Sequence, residues 1–177
     1  MTAGAVVWLT GLPASGKTTL AARIRERLVA LGAAAVLLDS DLLRPIIAAD
    51  LDYQVAGRDE FYRRLAELAA VIARQGCTAL VAATAPTRAQ RALARALAPR
   101  FIEVHLDVPL EECAARDPKG LYARARAGQA PDLPGAGAPY EAPSAAEVVA
   151  RGGEDESAVD AVIALLGGAG SRSATGR

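Results

Sequence analysis

Apolar residues along this chain recur in two alternating rhythms. Short apolar runs, Ala5 to Leu9, Ala34 to Leu38, Thr78 to Ala83, Phe101 to Leu106 and a weaker Ala146 to Ala150, read as strands. Between them the apolar spacing lengthens to that of a helix. Leu20, Ile24, Leu28 and Leu31 form one stripe; Phe61, Leu65, Leu68 and Ile72 form another, closed by Gly76 as its C-terminal cap. Thr87 with Gln90 has the spacing of a capping box and predicts a helix that stops before Pro99. Pro109 at a first helical position, with Glu111 and Glu112 in the opening turn, predicts another, and a last helix covers about Ala158 to Leu166. Strand alternating with helix is the pattern of a parallel sheet covered on both faces. The expected fold is therefore α/β, three layers around about five central strands.

One long stretch follows neither rhythm. From Ala127 to Ala145 the chain is rich in Gly, Pro and Ala, and a loop of that length in a compact domain is expected to be a lid or disordered. Just before it stand Arg116, Lys119, Arg124 and Arg126, so a cationic flap over about 116–145 is expected to close on phosphates and keep water out. Residues 1–166 read as a single domain, and 167–177, built of Gly, Ser, Ala, Thr and Arg, as a disordered tail.

Composition narrows the function by exclusion. Twenty basic residues balance twenty acidic ones, so no overall field favours nucleic acid or an anionic membrane. No apolar run is long enough to cross a bilayer and no signal-like segment opens the chain, so a cytoplasmic location is expected. Two cysteines and one histidine exclude a disulfide framework and a metal held by His and Cys. There is no asparagine, which removes the N-K-x-D motif that reads guanine. Lysine occurs only at Lys17 and Lys119 among many arginines, a hint that both places need a compact ammonium, although Lys119 also reads as a surface cation.

Gly11-Leu12-Pro13-Ala14-Ser15-Gly16-Lys17-Thr18 matches G-x-x-x-x-G-K-[ST] at every fixed position, with a strand before it and a helix after it. Such a loop cradles a phosphate chain with backbone N–H groups at the positive end of a helix dipole. Lys17 then supplies charge to the β- and γ-phosphates, and the Thr18 hydroxyl is placed for Mg²⁺. In an open α/β sheet the other chemistry belongs at the same rim, where the strands end. There the second strand delivers Asp39 and Asp41, with Arg44 beyond; the third ends near Thr84, and the fourth at Asp107. Asp39 and Asp107 both suit Mg²⁺, and the pattern does not choose between them. Asp39 and Asp41, alternating across one strand end, could divide metal contact from proton acceptance. Arg88, Arg91 and Arg95 share a helical face and read as solvated surface.

Together, Gly11 to Thr19, Leu38-Asp39-Ser40-Asp41-Leu42-Leu43-Arg44, Leu106-Asp107-Val108-Pro109-Leu110-Glu111, Ala115-Arg116-Asp117-Pro118-Lys119-Gly120-Leu121-Tyr122 and Pro139-Tyr140-Glu141 with Pro143 resemble the adenylylsulfate (APS) kinase family. The resemblance runs from about Gly4 to Leu166. It implies a P-loop kinase fold and transfer of the γ-phosphoryl group of ATP to the 3′-hydroxyl of adenylylsulfate, forming PAPS in sulfate assimilation. A kinase of the same fold acting on another hydroxylated small molecule is the alternative, and a nucleotide sensor a third reading. The resemblance implies that Gly11, Pro13, Ala14, Ser15, Gly16, Lys17, Thr18 and Thr19, with Arg116, hold ATP, and that Thr18 and Asp39 hold Mg²⁺. It makes Asp41 the base, with Lys17 and Lys119 also catalytic. Asp39, Arg44, Tyr53, Arg58, Phe61, Thr84, Lys119 and Leu133 fall on the acceptor side, Arg44 and Arg58 toward the phosphosulfate and Tyr53 as a ring stacking on adenine. Phe61 stands where the family has an asparagine, Ala85-Pro86-Thr87 where it has Ser-Pro-Tyr, and Leu133 where it has an aromatic residue. The expected partner is a small acceptor, with no nucleic acid and no membrane, and a homodimer is a candidate assembly.

Overall fold

The computed structural model describes residues 4–167. Its five strands are β1 (Val6–Gly11), β2 (Ala35–Asp39), β3 (Thr78–Ala82), β4 (Phe101–Leu106) and β5 (Val148–Ala150). All pair in parallel in the order β2-β3-β1-β4-β5. Seven helices cover the sheet among the described residues: α1 (Lys17–Ala30), α2 (Ser40–Ile47), α3 (Val55–Arg74), α4 (Arg88–Leu97), α5 (Leu110–Arg116), α6 (Leu121–Arg126) and α7 (Glu156–Gly167).

The two-residue repeat of β1 divides the core. Val7 and Leu9 join Leu20, Ile24 and Leu28 of α1 and Val159 and Val162 of α7 on one face. Val6 and Trp8 join Phe61, Leu65 and Ala69 of α3 and Ala94 of α4 on the other. Both faces of β1 are buried, as in a parallel sheet whose crossovers carry helices. Because β3 and β4 flank β1 on opposite sides, the chain reverses its winding there, and the carboxyl end of β1 opens into a crevice.

The expected elements stand where the periodicity puts them, with shifted ends. The capping box forms: the Thr87 hydroxyl accepts from Gln90 N, and the Gln90 side chain accepts from Thr87 N. Pro109 is the cap of α5 rather than its first helical residue, and α7 begins at Glu156. The first stripe's last member, Leu31, caps α1 and is exposed. Two short helices escape the periodicity. In α2 no residue is fully buried, although Leu43 and Ile47 pack against the core, and α6 spans under two turns, so each apolar face is too short to read as a periodic stripe.

The segment 127–145, expected as a lid or disorder, carries its own backbone bonds. The Leu133 carbonyl accepts from Ala136, Gly137 and Ala138, and Glu141 N donates to the Pro86 carbonyl. The tail expected over 167–177 lies outside the described residues from 168 onward.

Of the three arginines expected as solvated surface, Arg88 and Arg95 are exposed and one is corrected. Arg91 is buried rather than solvated: its guanidinium donates to Glu103 at 2.7 Å, to the Ala85 carbonyl at 2.6 Å and to the Glu141 carbonyl. Arg95, on the same face, donates to Glu147 at 2.6 Å. A row of arginines on one helix looks the same in sequence whether water or a carboxylate from the next strand faces it.

Candidate active site

The phosphate loop is shaped by backbone space. A Cβ on Gly11 would lie 2.8 Å from the Leu106 carbonyl of β4, so only glycine lets the loop leave β1 there. Gly16 holds φ 99° as the cap of α1, and its Cβ would lie 2.6 Å from Gly153 N. Ala14 also has positive φ, 62°, which stores modest strain in the loop. The Ser15 hydroxyl is buried without a hydrogen-bond partner among the described residues. From Lys17 onward α1 runs away from the loop, so its amino end and unpaired N–H groups face the crevice.

Lys17 Nζ donates to the carbonyls of Gly11 and Leu12 at 2.9 and 2.8 Å. Burial pulls its pKa down to about 8, against the pull of Asp41 and Asp39 in the other direction. The ammonium therefore sits under-compensated in the fold and is suited to an arriving anion.

Asp39 ends β2 and caps α2: its Oδ1 accepts from Asp41 N at 2.9 Å, and its Oδ2 accepts from the Thr18 hydroxyl at 2.7 Å. The strand-alternation expectation for this pair is thus replaced by a helix start, with Asp39 at the cap and Asp41 in the first turn. Of the two acidic strand ends, it is Asp39 that meets Thr18. Asp107 is exposed and does not line the crevice.

The crevice holds about 1130 Å³. Pro13, Ala14, Gly16, Lys17, Thr18 and Thr19 line it on the loop side, with Asp39, Asp41, Arg44, Arg58 and Thr84 opposite, and Arg116, Lys119 and Leu133 above. Gly11 and Ser15 lie behind this wall. Tyr53 stands in a smaller adjoining hollow that shares Arg58 and Leu133 with the crevice. Phe61, expected on the acceptor side, is buried and does not reach the crevice; its neighbour Tyr62 does.

The string Arg116 to Tyr122 acts as a bridge. Asp117 Oδ2 accepts from Tyr122 N and Ala123 N and so caps α6. Desolvation pushes its pKa up, but the N–H donors of α6 together outweigh it and hold the value below the ordinary one. The Tyr122 hydroxyl donates to the Pro13 carbonyl of the phosphate loop at 2.9 Å. Lys119, turned outward between these anchors, reaches Asp41 at 2.5 Å, and that hydrogen bond raises the lysine's pKa.

Sequence reasoning missed the loop after β5. Arg151, Gly152 and Gly153 line the crevice, and a Cβ on Gly153 would lie 2.8 Å from Thr19 Cβ and 2.9 Å from the Gly16 carbonyl. The signal was available, because this Arg-Gly-Gly follows a strand end as Asp39 does, but the strand is only three residues long.

The chain resembles known proteins over most of its length. A family model described as adenylylsulphate kinase matches residues 3–151. An adenylyl-sulfate kinase of Shewanella denitrificans is 43% identical over 165 residues, covering 91% of this chain and 80% of that one. Among solved structures, the Mycobacterium tuberculosis APS kinase CysC in complex with AMPPNP and APS superposes with a TM-score of 0.86 at 39% identity, covering 93% of this chain and 99% of that one. A hexameric APS kinase from Thiobacillus denitrificans superposes at 0.68 with 28% identity, covering 95% of this chain and 29% of that one.

Proposed function

Since the chain belongs to the adenylylsulphate kinase family, we propose that its crevice moves the γ-phosphoryl group of ATP onto the 3′-hydroxyl of adenylylsulfate, giving PAPS and ADP. The protein is a phosphotransferase acting on an alcohol. One observation carries the site assignment: the phosphate loop with Lys17 and the first turn of α2 with Asp41 line a single crevice.

The loop from Gly11 to Thr19 would hold the phosphate chain, with Lys17 against its outer oxygens. Thr18 Oγ1 and Asp39 Oδ2 are two oxygen donors 2.7 Å apart, a set that fits a hard divalent cation. Thr18 and Asp39 would hold Mg²⁺, which when bound would offset charge on the β- and γ-oxygens. Asp41 would aim the acceptor hydroxyl and take its proton as phosphorus is attacked. Lys119 would bring the bridge's positive charge beside the transferring group, and Arg116 would flank it. Arg44 and Arg58 would hold the anionic end of the acceptor. Positioning and charge neutralisation then do most of the catalysis.

Residues 1–166 would form one kinase domain working in the cytoplasm, with a homo-oligomer as the candidate assembly. A kinase for another hydroxylated small molecule is the second reading, favoured by Phe61 and Leu133 standing where the family has an asparagine and a ring. Incubation with ATP, Mg²⁺ and a panel of acceptors, with products identified by mass, decides between them. A product 80 Da heavier than adenylylsulfate is expected of phosphoryl transfer, roughly the mass of one added phosphoryl group. Its absence alongside a phosphorylated alternative acceptor overturns the first reading.

A further inference from the structure

Arg44 projects from α2 one turn after Asp41, and both line the crevice. Its guanidinium lies between two aromatic rings. The carbon at its centre is 4.0 Å from the Tyr53 ring centroid and 4.8 Å from that of Phe61. One edge donates to the Asp52 carbonyl. The turn holding that carbonyl is seated tightly on α3, since a Cβ on Gly57 would lie 2.7 Å from Asp52 O and 2.4 Å from its Oδ1. Among the described residues no carboxylate forms a salt bridge with Arg44.

Rings suit this arrangement because they hold the plane of a guanidinium by cation–π attraction without occupying its N–H donors. The two rings differ in setting: Phe61 is 2% exposed and Tyr53 65% exposed. Phe61 is thus the fixed wall and Tyr53 the outer one. We infer that Phe61 is a positioning residue for the acceptor: it does not touch the acceptor but clamps Arg44, with Tyr53, in the orientation that receives the acceptor's anionic group. The inference rests on the proposed acceptor role of Arg44 and deepens it. It also gives Phe61 a different job from the direct acceptor contact expected from its alignment with an asparagine.

The clamp is read in two independent ways. In steady-state kinetics with adenylylsulfate, Phe61→Leu should raise acceptor KM roughly tenfold while KM for ATP and kcat change less than about twofold. Phe61→Tyr, which keeps the ring, should restore the wild-type acceptor KM. In an Arg44→Gln background, Phe61→Leu should add no further loss, because the ring has no cation left to hold. Independently of any turnover, the Arg44 Nε–H resonance in ¹⁵N-resolved NMR, assigned by its loss in Arg44→Gln, should carry a ring-current shift. That shift should vanish in Phe61→Leu and return in Phe61→Tyr, and titration with inorganic sulfate should perturb the resonance. A wild type that leaves adenylylsulfate unphosphorylated overturns the acceptor assignment, and the resonance still judges the clamp. The clamp is overturned if the resonance is unshifted in the wild type. It is equally overturned if Phe61→Leu lowers kcat and both affinities together, or remains additive with Arg44→Gln, since Phe61 would then only fill the core.

Discussion

Lys119 Nζ lies 2.5 Å from Asp41 Oδ2, a contact across 78 positions of sequence that joins the bridge between α5 and α6 to the first turn of α2. Both side chains are more than half exposed. An ion pair this open contributes little to stability, about 0–1 kcal/mol. Its value lies in placing a cation beside the residue proposed to aim the acceptor hydroxyl.

Lys119→Ala should therefore separate function from stability. The midpoint of denaturant unfolding should move by less than about 1 kcal/mol, while kcat falls on the order of tenfold or more. A large loss of stability with kcat preserved would make the pair structural.

Asp41→Asn keeps the side chain's shape and removes its capacity to take a proton. Turnover should drop roughly 10²–10⁴-fold, in the range of lost general-base catalysis, with ATP affinity nearly unchanged in a direct titration. Retained turnover would give the positioning role to another group.

Lys17 links binding to pH. Its pKa, held at about 8 by burial, lies below the ordinary lysine value, so the fold favours the neutral amine. The penalty for charging it is fully present below pH 8. It is relieved as pH rises from about 8 toward the unfolded value near 10.5, because the unfolded chain alone binds the proton in that window. Lys17→Met should therefore stabilise the fold most at neutral pH and least above pH 10 while abolishing phosphoryl transfer. In the wild type, ATP affinity should weaken about tenfold between pH 7.5 and 9, with proton uptake on binding visible by calorimetry in buffers of different ionisation enthalpy. A flat pH profile would mean that the amine is already charged throughout.

Gly153 lies outside the phosphate-loop motif, yet its backbone packs against Gly16 and Thr19. Gly153→Ala should displace the loop and weaken ATP binding by roughly tenfold, an effect of lost pre-organisation. Unchanged ATP affinity would show that the two loops move independently.

Arg91 and Glu103 form a pair far less exposed than Lys119 with Asp41, at 3% and 11% of their side-chain surface. Arg91→Met alone should cost about 3–5 kcal/mol in denaturant unfolding, because it leaves the nearly buried Glu103 carboxylate only the longer, 3.5 Å contact from Arg95. The double substitution with Glu103→Met should recover a large part of that. Equal losses in the single and double variants would assign the cost to the bonds from Arg91 to Ala85 and Glu141.

The sequence by itself determined the layers and the phosphate loop. Buried strands must be apolar and covering helices must carry stripes, so Ala5 to Leu9, Phe101 to Leu106 and the Leu20 to Leu28 stripe declare their places without reference to anything distant. Gly11, Gly16 and Lys17 are equally legible, since their spacing lies within one loop, although the backbone that crowds both glycines comes from Leu106 and Gly153. Only the tertiary structure decided what each polar residue meets. It put Arg91 in the core against Glu103, chose Asp39 over Asp107 for the Thr18 hydroxyl, drew Phe61 back from the crevice to the face of Arg44 and set Gly153 against the loop. Apolar burial follows from each residue's own aversion to water and therefore leaves a periodic mark. A charge or hydroxyl is defined by its partner, and here those partners arrive from other strands and helices that only folding brings near.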